Sequence, residues 1–333
     1  RKTLSKLASG TEEKKMADLK SEVVGHKKLF ALWSRLLESH KVTGSFLFIG
    51  PSGVGKKKSA WAFMQQALCE KNQSQTGEAC GSCANCRRVQ AQQHESILFI
   101  QPDGAQIKVE QAQIILQFLK LRSLSSHRFV LVEEAHKMNP AAANSLLKTL
   151  EEPAEGNTFI LLAPSLTSVM PTIRSRSRVF HFQPVPLEEI KQAKAVPEWT
   201  LEASLGRFNL LEALGTSEEK EFRNFWSQYL VQFLTSPNTL TEETWRETLK
   251  NKEDLRQGVD LWLKLIRDAL FFQLGEKKSL VTLDLSVQLQ KLSQIPTAQL
   301  QQIGQNLIQL QREMSFNKDA VLSLESLYIG LHQ

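Results

Sequence analysis

An apolar run, Ser45-Phe46-Leu47-Phe48-Ile49, breaks into Gly50-Pro51-Ser52-Gly53-Val54-Gly55-Lys56, and a helical pattern follows. Nothing else in the 333 residues constrains the fold as strongly. The run reads as a buried strand, and G-x-x-x-x-G-K between a strand and a helix is the phosphate-binding loop. Its glycines, Gly50, Gly53 and Gly55, let backbone N–H groups wrap phosphate oxygens. The helix N-terminus adds positive potential, and Lys56 reaches the terminal phosphates. The competing reading is a Gly-rich turn beside an exposed lysine, and the strand–loop–helix order weighs against it.

Further short apolar runs at residues 97–100, 129–132, 158–162 and 179–182 alternate with helical patterns, among them 110–121 and 141–151. The second of these helices starts after Asn139-Pro140 and stops before Pro153. Strands alternating with helices imply βαβ units and a parallel α/β sheet. Beyond residue 183 the strand signal ends. From 218 onward only helical periodicity remains, as in Val259, Trp262, Leu263, Ile266 and Leu270, with Gly275 placed to end that helix. The Gln-rich stretch 288–311 keeps apolar residues at helical spacing and reads as amphipathic helices. An α/β domain, a connector of about thirty residues and an all-helical C-terminal domain follow from this pattern. Residues 1–15 precede Met16 and are set aside as a leader or expression remnant, the alternative being a short surface helix.

Composition narrows the function classes. Lys+Arg 41 against Asp+Glu 35 gives a net charge of +6, which permits nucleic-acid contact without supplying a basic tail. Every apolar run falls far short of the roughly 18 residues a membrane span needs, and no signal peptide opens the chain. A hydrophobic fraction of 41% and a charged fraction of 23% suit a soluble multi-domain protein, expected in the cytoplasm.

Two positions around the loop depart from a working phosphate-transfer site. The residue after Lys56 is ordinarily Ser or Thr, whose hydroxyl holds Mg²⁺; here it is Lys57, followed by Lys58. Ser59 points about 200° away around the helix and does not substitute. The run 129–132 ends in Glu133-Glu134-Ala135-His136, which resembles a Walker B strand. Glu134 takes the general-base position, while Glu133 replaces the metal-binding Asp and displaces the carboxylate by roughly an ångström. Phosphate binding is compatible with these changes; Mg²⁺-dependent ATP hydrolysis is disfavoured. All four cysteines lie in Cys69-x10-Cys80-x2-Cys83-x2-Cys86. That spacing suits a closed tetrahedral, structural Zn²⁺ site, and a disulfide is the competing reading. Cys69 is expected at the end of the loop helix and the other three on the loop beyond it. Residues 172–177, Thr-Ile-Arg-Ser-Arg-Ser, are read either as a solvated basic turn or as an arginine directed at a phosphate.

Several separated segments resemble one family. They are Val23-Val24-Gly25-His26, residues 46–56, the four-cysteine insertion, Ile107-Lys108-Val109-Glu110-Gln111, Glu133 to Met138, Asn144 to Pro153 with its Leu-Leu-Lys-Thr-Leu-Glu-Glu-Pro string, and Thr172 to Ser177. Their order over about residues 20–210 is similar to the clamp-loader subunits of bacterial DNA polymerase III. The resemblance implies an AAA+ domain with a five-stranded sheet over 16–183, including a zinc module at 69–86. It further implies a short helical lid over 184–215 and a helical collar over 216–333 that assembles a pentameric ring. Such rings open the sliding clamp and load it on primer–template DNA. Ser175-Arg176-Ser177 resembles the Ser-Arg-Cys motif, which makes Arg176 an arginine finger acting on a neighbour's ATP. Arg207 resembles the sensor 2 arginine of the lid, and residues 317–327 the last collar helix.

Altered metal positions beside a retained Arg176 fit the delta-prime branch of the family, a stator within the DNA polymerase III holoenzyme. Its own ATPase is then absent or weak. The implied partners are gamma/tau and delta subunits, the sliding clamp (beta) and primer–template DNA, with no membrane. One alternative is an active gamma/tau-type motor. Another is a zinc-stabilised nucleic-acid-binding module outside any ring, against which stands the lack of aromatic–basic interleaving.

Overall fold

The structure is a computed structural model that describes residues 18–39, 42–74, 78–120, 127–214, 216–236, 251–276, 279–315 and 320–332. The segment 1–15 and residues 317–319 of the expected last collar helix lie outside these. The chain divides into two compact units, one up to Ala193 and one from Lys194. That division falls inside the stretch expected as a lid.

The first unit carries α1 (Lys27–Glu38), β1 (Gly44–Ile49), α2 (Lys56–Leu68), α3 (Ala84–Gln90), β2 (Ile97–Ile100), α4 (Val109–Lys120), β3 (Arg128–Val132), α5 (Pro140–Glu151), β4 (Asn157–Ala163), α6 (Pro171–Arg174), β5 (Arg178–His181) and α7 (Leu187–Ala193). The five strands form one parallel sheet in the order β2-β3-β4-β1-β5. Each apolar run of the sequence is a strand. The last is shifted by one residue, yet Phe182 N–H still donates to Ile49 O at 2.7 Å.

The strands read as unbroken apolar runs because both sheet faces are covered. Along β1, Phe46 and Phe48 pack on one face with Trp33 of α1, Phe63 of α2 and Phe180. Leu47 and Ile49 pack on the other with Val130, Val132, Leu146 and Leu161. The carboxyl ends of β1 and β3 open on the same edge of the sheet, with β4 between them. At about 4.8 Å per strand step, the loop after β1 and the end of β3 stand roughly 10 Å apart. Ligands of open parallel sheets bind in such a crevice.

Among the described residues the second unit is helical: α8 (Glu198–Ser204), α9 (Phe208–Leu214), α10 (Ser217–Thr235), α11 (Lys252–Gln273), α12 (Ser286–Leu292), α13 (Thr297–Ser315) and α14 (Ala320–His332). Its core is built on Trp226 and Trp262, with Trp262 Nε1 donating to Trp226 O at 2.8 Å. Arg223 donates through Nε and Nη2 to both oxygens of Asp284, at 2.8 and 2.7 Å, tying α10 to the turn before α12. Gly275, with φ of +80°, ends α11 where the sequence pattern put a stop.

Candidate functional site

The loop after β1 runs against β5. A Cβ on Gly50 would lie 2.1 Å from Phe182 O, so no side chain fits there. Gly53 and Gly55 have φ of +82° and +95°, and Gly55 caps α2. Lys56 Nζ folds back on the loop and donates to Gly50 O at 2.5 Å and Pro51 O at 2.7 Å. His26 supports the loop from α1: its Nε2–H donates to Val54 O at 2.7 Å, and its ring meets Phe182 edge-on at 4.8 Å. Burial holds the His26 imidazole below its usual pKa, against the opposing effect of the Val54 bond. Its sequence signal was the Gly25-His26 pair, which alone carried no role.

The two altered positions meet. Lys57 Nζ donates to Glu133 Oε2 at 2.9 Å, and Gln101 Nε2 donates to the same oxygen at 2.9 Å. The Lys57 ammonium also lies 4.5 Å from the centroid of the Phe99 ring, within the range of a cation–π contact. Phe99 was legible only as part of an apolar run and Gln101 not at all; nothing in the sequence tied either to this site. Ser59 is fully buried on α2. Glu134 has a left-handed backbone, φ +51°, and its carboxylate pairs with Lys137 at 3.0 Å. Burial also lowers the neighbouring His136 imidazole, with Lys137 and Lys56 adding to the shift against Glu134.

The fold family implies a magnesium ion beside the loop, and these residues do not fit one. Mg²⁺ needs oxygen ligands at 2.0–2.1 Å in a near-octahedral set; the position after Lys56 supplies an ammonium instead of a hydroxyl. A divalent ion there is repelled by the Lys57 ammonium, and the Glu133 carboxylate that would attract it is already engaged by Lys57 and Gln101.

Arg176 sits between α6 and β5, at the amino edge of the sheet. The phosphate loop is at the opposite, carboxyl edge. Five residue steps along the six-residue β1 put roughly 17 Å between those edges. Arg176 Nε donates to Glu151 Oε2 at 2.9 Å, and Nη1 donates to Thr172 O at 3.2 Å and Ser175 Oγ at 3.3 Å. Glu151, the last residue of α5, had been part of the family-like string with no role of its own. Arg207 opens α9 in the second unit, its N–H bonded to Ser204 O at 3.0 Å.

The four cysteines converge. Their Sγ atoms lie within 4.8 Å of one another, with Cys80 and Cys86 3.9 Å apart; four sulfurs 2.3 Å from one zinc ion have edges of about 3.8 Å. None of the four is in a disulfide. Cys69 caps the end of α2, as expected, but Cys86 lies in the first turn of α3 instead of on the loop, because Cys83 caps that helix. The Cys80, Cys83 and Cys86 N–H groups donate to Cys69, Cys80 and Cys83 Sγ at 3.3, 3.3 and 3.4 Å. Ser82 draws the Cys80 thiol down to about 6, while burial pushes Cys69 and Cys86 up. With four Sγ atoms within 4.8 Å of one another, the set is fit to hold a metal ion.

A family described as "DNA polymerase III, delta subunit" matches residues 25–186. A DNA polymerase III subunit delta' of Haemophilus influenzae is 33% identical over 232 residues, covering 66% of this chain and 68% of its own length. The subunit delta' of Bacillus subtilis is 27% identical over 266 residues, 75% of this chain and 78% of that protein. Similarity extends to a gamma/tau subunit of Mycobacterium tuberculosis, 32% identical over 168 residues, which covers 50% of this chain and 29% of the larger protein. With its parallel phosphate-loop sheet and helical C-terminal unit, the chain belongs to the delta-prime family of DNA polymerase III clamp-loader subunits.

Proposed function

We propose that this chain is a stator of a clamp loader: it hydrolyses no ATP of its own and offers Arg176 to the ATP of a neighbouring gamma/tau-type subunit. The observation that carries the reading is a separation. Arg176 stands on the sheet edge opposite its own phosphate loop, so its guanidinium serves a site outside this chain. The Lys57–Glu133 pair at the metal position is the complementary support. A γ-phosphate met by Arg176 gains a fixed, delocalised positive charge where negative charge develops.

The helical second unit, with α10 to α14 as collar and α8 and α9 in the stretch read as lid, holds the chain among gamma/tau and delta subunits. The assembled ring then loads the sliding clamp on primer–template DNA. Arg207 is the sensor arginine in this reading, and Glu134 occupies a base position that is not used. Cys69, Cys80, Cys83 and Cys86 hold a structural Zn²⁺, with no open coordination position for chemistry. The protein works in the cytoplasm; among the described residues no helix is long and apolar enough to cross a membrane.

The test is reconstitution with gamma/tau and delta subunits. Arg176→Ala should lower both the ATPase and the clamp loading of the assembly while this chain keeps its fold by circular dichroism. A finger supplied in trans is worth up to roughly 10³–10⁵ in other phosphate-loop enzymes. Unchanged loading by the variant assembly overturns the assignment, and robust ATP hydrolysis by the isolated chain overturns the stator.

A further inference from the structure

We infer that the ammonium of Lys57 takes the place of the divalent cation in this phosphate loop, so that the loop binds a nucleoside polyphosphate free of magnesium in preference to the magnesium complex. The inference deepens the reading of residues 50–57 as a nucleotide loop without hydrolysis, and rests on it.

Two contacts fix the ammonium at the position a metal would otherwise take, and a third steadies its carboxylate partner. Glu133 Oε2 accepts from Lys57 at 2.9 Å. The same oxygen is steadied by Gln101 at 2.9 Å. The Phe99 ring lies 4.5 Å from the charge. The pair links positions 76 residues apart, across the strand that separates β1 from β3. An ordinary site of this kind joins the same two positions through a hydroxyl, a metal and an aspartate.

The charges count the same way. Lys56, Lys57 and Glu133 sum to one positive charge, still attractive to a polyphosphate that the glycine loop and the start of α2 can hold. The Lys56 ammonium bonds to Gly50 O and Pro51 O, neutral carbonyls that a charged phosphate oxygen outcompetes. A magnesium complex instead carries its ion on the terminal phosphates, against Lys57. Metal therefore weakens binding here, the reverse of its effect in a hydrolysing loop.

The experiment is a fluorescence titration of the full, zinc-loaded chain with methylanthraniloyl-ATP. It is run in magnesium-free buffer without chelator, which spares the cysteine site, and again with Mg²⁺ in excess. Binding should be roughly tenfold tighter without Mg²⁺. The double substitution Lys57→Thr with Glu133→Asp should invert the order, and only that variant should quench the electron paramagnetic signal of Mn²⁺ added with nucleotide. Tighter binding by the natural chain with Mg²⁺ overturns the inference, and so does no binding in either buffer. Neither result touches Arg176. A preference for the metal-free nucleotide, combined with an assembly indifferent to Arg176→Ala, overturns the arginine-finger assignment alone.

Discussion

Lys57 Nζ and Glu133 Oε2 are 2.9 Å apart, so the two departures from the phosphate-transfer pattern satisfy each other. Either alone would set a charge against a group made for a metal. Together they form a neutral pair that ties the first turn of α2 to the end of β3. The side chains are 38% and 28% exposed, which limits what the pair adds to stability. Lys57→Met is expected to cost at most about 1 kcal/mol in urea unfolding. A loss of several times that would give the pair a structural role beyond an ion pair.

Arg176 presents a planar fork already oriented by Glu151, Thr172 and Ser175. Lysine keeps the charge but not the fork. In the reconstituted assembly Arg176→Lys should fall nearly as far as Arg176→Ala in ATPase rate. Recovery of most of the rate by lysine would mean that a point charge is sufficient.

Metal removal should destabilise the first unit, because binding free energy at a closed site is also folding free energy. Chelation is expected to release one equivalent of zinc, read by a colorimetric dye, and to lower the melting temperature. Cys86 is wholly buried while Cys80 is partly exposed. Cys86→Ser should therefore lower melting more than Cys80→Ser. Unchanged melting after chelation would refute a structural ion.

Burial lowers His26, His94 and His136 from 6.5 in each case. The unfolded chain then binds more protons in mildly acidic solution. The stability these neutral rings contribute is complete above about pH 6.5 and is lost as pH falls through their folded-state values. Urea midpoints should drop between pH 7.5 and 5.5, and His26→Gln should shrink the drop. A pH-independent midpoint would contradict the burial argument.

In the second unit, a Cβ on Gly258 would sit 2.3 Å from Trp226 ring atoms. Alanine gains about 1 kcal/mol in helix propensity, but overpacking a core costs about 1–3 kcal/mol, and a rigid indole gives little. Gly258→Ala is expected to lower stability, whereas the same change at Gly304, whose nearest neighbour is a side-chain methyl at 3.5 Å, should not. Equal effects at the two positions would show that Trp226 moves freely.

The amino-acid sequence determined the elements and the chemistry available to them. Five apolar runs became five strands, a glycine-rich loop led into α2, and four cysteines at C-x2-C spacing came together. These signals are local: a strand buried on both faces must be apolar throughout, and closely spaced thiols have few residues in which to diverge. The tertiary structure alone decided what faces what. Placing β4 between β1 and β3 opened the gap that Lys57 and Glu133 close. Gln101 and Phe99 joined them because β2 pairs with β3. Pairing β5 with β1 set Arg176 at the edge away from its own loop and beside Glu151. The alternation of strands and helices already implied parallel strands, but their order comes from packing the whole sheet, and no periodicity within a segment records its neighbours.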